Sequence, residues 1–344
     1  MIYLNWAGLA PLSVRGYTAS LFAPELLGNV LLPKWFARIT RLREKIGAWL
    51  GCGARQVAFL PSTSAALYTA ANSLDWEPGD VALYPKDDFA ANVLPWQQLA
   101  RRGVRAAAIA DWSNADWPDR TRMVSISTVD FTSGIEHPWR EVISKARKRG
   151  IWTVLDAIQS AGVKPAWSED VDFWCAGTQK WLASGLGLAI LVLSERVLQQ
   201  LRPPFPSWLS LADPPGLESG LAGDARAWEM SWVTPYALAR FDKNLDFFAR
   251  TGWDAVSAAV KARRDFLHER LMEIGWPVIS DAARWSGIVS FDPGPERAQA
   301  IVQDGYKRKI VTAARGPYVR LSAHVFTPKR SLRKAVDWLW SCRG

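Results

Sequence analysis

Short aliphatic runs alternate with helix-periodic stretches through the first two-thirds of the chain, and this alternation narrows the choice of fold more than any other feature. The runs are Val57 to Leu60, Val81 to Tyr84, Val104 to Ile109, Met123 to Thr128, Trp152 to Leu155, Val171 to Cys175 and Leu188 to Leu193. Between them, Ser64 to Asn72, Asn92 to Arg101 and Arg140 to Arg149 carry the helical period. A tight turn returns a strand antiparallel, whereas parallel neighbours need a crossover, usually a helix. The alternation therefore predicts an α/β fold with a mainly parallel sheet flanked by helices.

The pattern changes after Leu201. Arg202-Pro203-Pro204-Phe205-Pro206 and Asp213-Pro214-Pro215-Gly216 break any regular element, because proline lacks an N–H and restricts the residue before it. A helical segment from Asp254 to Ile274, β-type runs at Gly287 to Phe291 and Tyr318 to Leu321, and a last helix from Lys329 to Trp340 follow. A chain of 344 residues exceeds what one simple core organises and suits a large domain with a smaller one. The expected division is an N-terminal segment at 1–20, a large domain at 21–240 and a smaller α+β domain at 241–344.

Composition excludes some classes of function. The net charge is +9, but the basic residues are scattered. The one dense group, Lys145 to Arg149, sits where a helix would end before Gly150, and cations are favoured there by the helix dipole. Neither nucleic-acid nor membrane binding is expected. Cys52, Cys175 and Cys342 are too few and too far apart for a disulfide framework or a zinc site, and His137, His268 and His324 lack ligand spacing. No metal is expected. The start, Met1 to Trp6, has no signal-peptide pattern and the longest apolar run, Leu186 to Leu193, is too short to span a bilayer. A soluble cytoplasmic protein is the expectation.

The chemistry concentrates between Ile151 and Leu188. The run Ile151 to Leu155 delivers Asp156 and Gln159 to its carboxyl end, the edge where open α/β sheets bind ligands. The next run, Val171 to Cys175, leads through Ala176-Gly177-Thr178-Gln179 to Lys180. A lysine there is partly desolvated, which lowers its pKa and makes it a better nucleophile toward a carbonyl. A buried acid and such a lysine meet the needs of pyridoxal phosphate, which requires an amine for its aldehyde and a carboxylate for its ring nitrogen.

Val154-Leu155-Asp156-Ala157-Ile158-Gln159-Ser160, followed by Asp172-Phe173 and Gln179-Lys180-Trp181, resembles the class V aminotransferase family of fold-type I pyridoxal phosphate enzymes. That family includes cysteine desulfurases, kynureninase and isopenicillin N epimerase-like enzymes. The resemblance implies that Lys180 forms the Schiff base, Asp156 pairs with the pyridine nitrogen and Gln159 touches the phenolate oxygen. It assigns the cofactor phosphate to the turn before Ser64 to Asn72, with Thr63 and Ser64 as candidates. Thr178 or Gln179, just before the lysine, adds a further contact. Phe89, within Tyr84 to Trp96, takes the place of the aromatic residue that stacks on the ring. Arg320, in Tyr318 to Phe326, takes that of the arginine holding the substrate carboxylate, and Asn5 and Ala7 belong to the opening segment lining the same pocket.

Departures from the family pattern limit the reaction. No cysteine lies between Ile310 and Arg320, where a desulfurase carries the thiol that attacks substrate sulfur. The Gly-Thr pair that reaches a phosphate across the family's dimer interface is absent near Trp228 to Pro235, where Ser231 or Thr234 could substitute. The resemblance thus implies a homodimeric enzyme acting on an amino acid, with transamination as the first reading and a C–S lyase or epimerase as the second. A rival of another class is the same fold reused as a non-catalytic binding module.

Overall fold

Every run singled out in the first two-thirds of the chain forms a strand of one sheet. The computed structural model describes residues 1–11, 32–164, 167–213 and 216–343; residues 12–20 of the expected N-terminal segment lie outside them. A short strand β1 (Ile2–Tyr3) is followed by β2 (Val57–Leu60), β3 (Val81–Pro85), β4 (Arg105–Ile109), β5 (Thr121–Ser127), β6 (Trp152–Asp156), β7 (Phe173–Gly177) and β8 (Ala189–Leu193). From β2 onward these make a seven-stranded sheet in the order β2-β8-β7-β6-β5-β3-β4. All pairs are parallel except those of β8, which runs antiparallel to both β2 and β7. The exception has a local cause: the segment between Gly177 and Ala189 contains no helix, so the chain turns back beside the strand it has just left. The carboxyl ends of β2, β3, β5, β6 and β7 consequently share one edge.

Helices Thr63–Asn72 and Trp139–Lys148 form close to where the helical period places them. The stretch from Asn92 to Arg101 is not one helix. It is a 3₁₀ turn at Ala90–Asn92, a short α-helix at Leu94–Gln98 and another 3₁₀ turn at Leu99–Arg102. Pro95 explains the break, since it can open a helix but not continue one. Helices also form at Leu32–Leu50, Glu195–Gln200, Pro235–Thr251 and Arg297–Lys307, which the sequence reading had not assigned. The expected boundary at 240/241 falls inside Pro235–Thr251. Much of the tryptophan content is structural: Trp96, Trp139, Trp174 and Trp181 are completely buried. Among the described residues no helix is long and apolar enough to cross a membrane.

The C-terminal part contains β9 (Ile288–Phe291), β10 (Ile310–Val311), β11 (Ala313–Arg315) and β12 (Tyr318–Ser322). Strands β11, β12 and β9 form an antiparallel sheet in that order. Leu267, Leu271, Trp276, Phe291, Leu321 and Leu339 pack a second apolar core around it. The N-terminus joins this region: β1 pairs in parallel with β10, and Asn5 bridges Ser322. At the same time the Ala10 amide donates to the Gln179 carbonyl at 2.7 Å. The first ten residues therefore bridge the small sheet and the turn carrying Lys180.

The turn Phe131–Gly134, after β5, is fastened to β9. Ser290 donates to the Thr132 carbonyl at 2.5 Å and Ser286 to the Gly134 carbonyl at 2.7 Å. Gly134 has φ of 76°, and a Cβ there would come within 2.6 Å of the Ile288 Cβ, so this close approach requires glycine.

Candidate functional site

A cavity of about 220 Å³ opens at the carboxyl edge of the large sheet, with the small sheet closing one side. Asp156, the last residue of β6, projects into it from an apolar strand. Its Oδ1 accepts the Ile158 N–H at 3.0 Å. Burial pushes its carboxyl up to about 7, the neighbouring Asp88 adds to the rise, and the Ile158 N–H and Lys180 oppose it. A carboxyl so placed lacks a strong cationic partner, and a protonated ring nitrogen would supply one.

Lys180 lies three residues beyond the end of β7, in a turn closed by the Ala183 N–H to the Lys180 carbonyl at 3.0 Å. Burial lowers its ammonium to about 8; Asp156 acts against this, while Arg320 and Arg315 add to it. About a tenth of the amine is thus neutral at pH 7, far more than for an ordinary lysine, and this is the form that attacks an aldehyde or accepts a proton. Lys180 Nζ lies 5.8 Å from the centroid of the Phe89 ring. Phe89 lines the cavity, is 55% exposed and meets Phe131 edge to face at 5.6 Å.

Gln159 is fixed at both ends of its carboxamide. Nε2 donates to the Ala7 carbonyl at 3.1 Å, and Oε1 accepts from Trp181 Nε1 at 3.1 Å. One amide N–H remains for a ligand. Ala7 lines the cavity and is itself held by its N–H to Ser322 Oγ at 2.9 Å.

Helix Thr63–Asn72 also starts at the cavity, capped by Ser62, whose side chain accepts the Ala65 N–H at 3.1 Å. Thr63 and Ser64 both line the cavity. Thr63 Oγ1 is buried and has no hydrogen-bond partner among the described residues, a costly condition that a ligand oxygen would relieve. Together with the free N–H groups and positive end of the helix, this makes an anion cradle. Gly177 keeps it open, since a Cβ there would approach Thr63 Oγ1 to 2.8 Å. Gln179 is on the wall. Thr178 is not: fully buried, its hydroxyl lies against the carbonyls of Gly185 and Leu188 at 3.3 and 3.2 Å. The hydroxyl thus stabilises the turn and is directed away from the cradle.

Arg320, 1% exposed, also lines the cavity. Nη1 donates to the Phe131 carbonyl at 2.6 Å and Nη2 to Asn5 Oδ1 at 3.3 Å, while its buried Nε has no partner. Burial depresses the guanidinium to about 9, and Arg315 contributes to this. Asn5 is absent from the wall but touches two residues on it, accepting from Arg320 Nη2 and, at its carbonyl, from the Gly8 N–H at 3.0 Å. Ser231 is exposed and the Thr234 amide donates to the Gly187 carbonyl at 3.3 Å; neither residue lines the cavity.

The wall also contains Asp88, Ser127, Phe131 and Arg315, which the sequence had not singled out. Asp88 accepts hydrogen bonds from Ser127 Oγ, Asn92 Nδ2 and the Phe89 N–H. Burial raises its carboxyl above the usual range. A signal for it was present, since Asp88 follows β3 at the ligand-binding edge and immediately precedes Phe89.

Residues 33–316 match the family described as aminotransferase class-V. Isopenicillin N epimerase from Streptomyces clavuligerus is 26% identical over an alignment of 379 positions, covering 96% of this chain and 90% of the epimerase. A cysteine desulfurase from Pectobacterium atrosepticum is 22% identical over 276 positions, covering 75% of this chain and 67% of the desulfurase. Among solved structures, a C-DES variant with glycine covalently linked to its pyridoxal phosphate cofactor superposes with a TM-score of 0.90 at 20% identity, covering 98% of this chain and 96% of that one. The apo cysteine desulfurase from Thermococcus onnurineus NA1 gives 0.87 at 16% identity, covering 99% and 94%.

Proposed function

The chain belongs to the class V aminotransferase family, with the fold-type I architecture of pyridoxal phosphate enzymes, and from that premise we propose that it breaks the Cα–H bond of an amino acid and transfers the amino group. The observation that carries this reading is the convergence of Lys180, Asp156 and Arg320 on one cavity. The unpartnered Thr63 hydroxyl at a helix start, the buried carboxyl of Asp156 and the low-pKa amine of Lys180 suit the cofactor's phosphate, ring nitrogen and aldehyde respectively.

Bound there, pyridoxal phosphate supplies an electron sink that makes the Cα proton of an attached amino acid acidic. Lys180 would hold the aldehyde, and its amine is the base that would take the Cα proton and return it. Asp156 keeps the ring nitrogen protonated. Thr63, Ser64 and Gln179 would hold the phosphate, Gln159 would offer its remaining N–H to the ring oxygen, and Phe89 would stack on the ring. Arg320, positioned by Phe131 and Asn5, binds the α-carboxylate and so fixes which bond at Cα faces Lys180. A homodimer is part of the proposal, supported by the exposed aromatic cluster of Phe36, Trp208 and Trp232.

Transamination needs one base moving a proton between two carbons, and Lys180 can supply it alone. An epimerase is the second reading, favoured by the epimerase relative that aligns along nearly the whole chain. Incubating the purified protein with single amino acids and a 2-oxo acid separates them: a new amino acid and a new oxo acid mean transamination, whereas inverted substrate alone means epimerisation. A colourless protein that takes up no added cofactor would favour a non-catalytic binding module.

Persulfide chemistry is not expected. Cys52, Cys175 and Cys342 all lie off the cavity wall, and burial raises the thiol pKa of each. Turnover with cysteine should leave all three thiols unmodified by intact-mass spectrometry, and a mass increase of one sulfur would refute this.

The Asp156→Asn variant should bind cofactor but lose turnover by about two orders of magnitude, on the scale of a misplaced proton in acid–base catalysis. A neutral amide cannot hold the ring nitrogen protonated. Wild-type rates in this variant would place Asp156 outside the reaction.

A further inference from the structure

Arg315 and Arg320 occupy one face of the small sheet. In the β11–β12 register Ala313 lies opposite Arg320 and Arg315 opposite Tyr318. Arg315, two residues beyond Ala313, therefore shares the face of Arg320 as its diagonal neighbour, at a backbone spacing of about 7–8 Å. Both side chains line the cavity that holds Lys180.

Among the described residues neither guanidinium has an ion-pair partner. Among the described residues, Arg315 gives its one side-chain hydrogen bond to the Ala314 carbonyl, and Arg320 gives its two to Phe131 and Asn5. The acid whose field reaches Arg320 is Asp130, but its Oδ1 already accepts from the Thr132 and Ser133 N–H groups and the Ser133 hydroxyl. Two guanidiniums and the Lys180 amine thus share the cavity with the carboxyls of Asp156 and Asp88, which burial pushes toward their neutral forms, so the lining carries an excess of positive charge that anionic ligands offset. The cofactor phosphate is assigned to the helix start at Thr63, whose unpartnered hydroxyl and free N–H groups supply its donors, and so it is not assigned to these arginines. One guanidinium suffices for one carboxylate, and Arg320 with its unpartnered Nε can hold it bidentately.

We propose that the substrate carries a second anionic group, as a dicarboxylic amino acid does, and that Arg315 binds it while Arg320 binds the α-carboxylate. The inference rests on the reading of the cavity as an amino-acid site.

The test titrates the cofactor-loaded protein with L-aspartate and L-glutamate against L-asparagine and L-glutamine, reading apparent affinity from the visible spectrum. The acidic members should bind more tightly on the order of tenfold to a hundredfold, the worth of a charge-assisted contact. Arg315→Gln should remove most of that preference while weakening the neutral amino acids far less, and Arg315→Lys should restore part of it. Equal affinities for acidic and neutral members in the wild-type protein would overturn the inference. So would an Arg315→Gln variant in which glutamine and glutamate weaken alike, since both guanidiniums would then share one carboxylate.

Calorimetric titration with succinate and glutarate against butyrate reads the arginine pair without any reaction at the cofactor. If the protein takes up cofactor yet diacids bind no better than the monoacid, the pair is overturned and the enzymatic reading stands. If it takes up none, the enzymatic reading fails, while diacid binding lost in Arg315→Gln upholds the pair.

Discussion

In Lys180→Ala the visible band of the cofactor-loaded protein is expected to vanish and turnover to fall by on the order of 10⁴-fold or more, because nucleophile and proton carrier are lost together. The fold should survive. Lys180 is a buried amine without an ion-pair partner among the described residues, and removing such a group relieves a desolvation penalty. Thermal unfolding of the unloaded variant should therefore match or exceed that of the unloaded wild type. Borohydride reduction with peptide mapping identifies the attachment point, and a tag on any other lysine would overturn the assignment. The pH dependence adds a second readout. Only the neutral amine attacks an aldehyde, and burial holds the Lys180 ammonium at about 8. Uptake of added pyridoxal phosphate should rise with pH and level off above about 8, whereas an ordinary lysine would keep climbing to about 10.4.

The position of Lys180 was legible because a strand-ending lysine and a strand-ending acid sit on consecutive runs, and consecutive parallel strands place such residues at one edge. The same alternation disclosed all seven strands of the large sheet, since each run is short, apolar and bounded by polar turns. Direction was harder to read. The reversal of β8 depends on the absence of a helix between Gly177 and Ala189, and the glycine-rich stretch there resembles other crossover loops in composition. Thr178 shows a limit of another kind: Gln179 and Lys180, which follow it, line the cavity, but its hydroxyl is turned toward Gly185 and Leu188. Arg315 was invisible for a third reason. Its alignment with Arg320 follows from the β11–β12 hairpin register, and a shift of one residue would have sent its side chain to the opposite face.

The largest effect on substrate binding is expected at Arg320. Its guanidinium is buried, and the α-carboxylate is assigned to its unpartnered Nε and a free N–H beside it. Losing a sheltered charge-assisted contact of this kind costs about 2 to 5 kcal/mol, so Arg320→Ala should weaken amino-acid binding by between about thirty-fold and several thousand-fold. Unlike Arg315→Gln, this variant should weaken acidic and neutral amino acids alike. Arg320→Lys should rescue little, because an ammonium cannot reproduce two parallel hydrogen bonds. The yellow colour should persist, since Lys180 and the Thr63 cradle are intact. Arg320 also helps to hold down the Lys180 pKa; removing the cation removes that repulsion, and the plateau of cofactor uptake should shift to higher pH. A protein merely loosened by the loss of the bonds to Phe131 and Asn5 would show weaker binding without that shift. Titration of both variants with amino acids, together with the pH profile of uptake, separates these cases. Unchanged affinities would place the substrate carboxylate elsewhere.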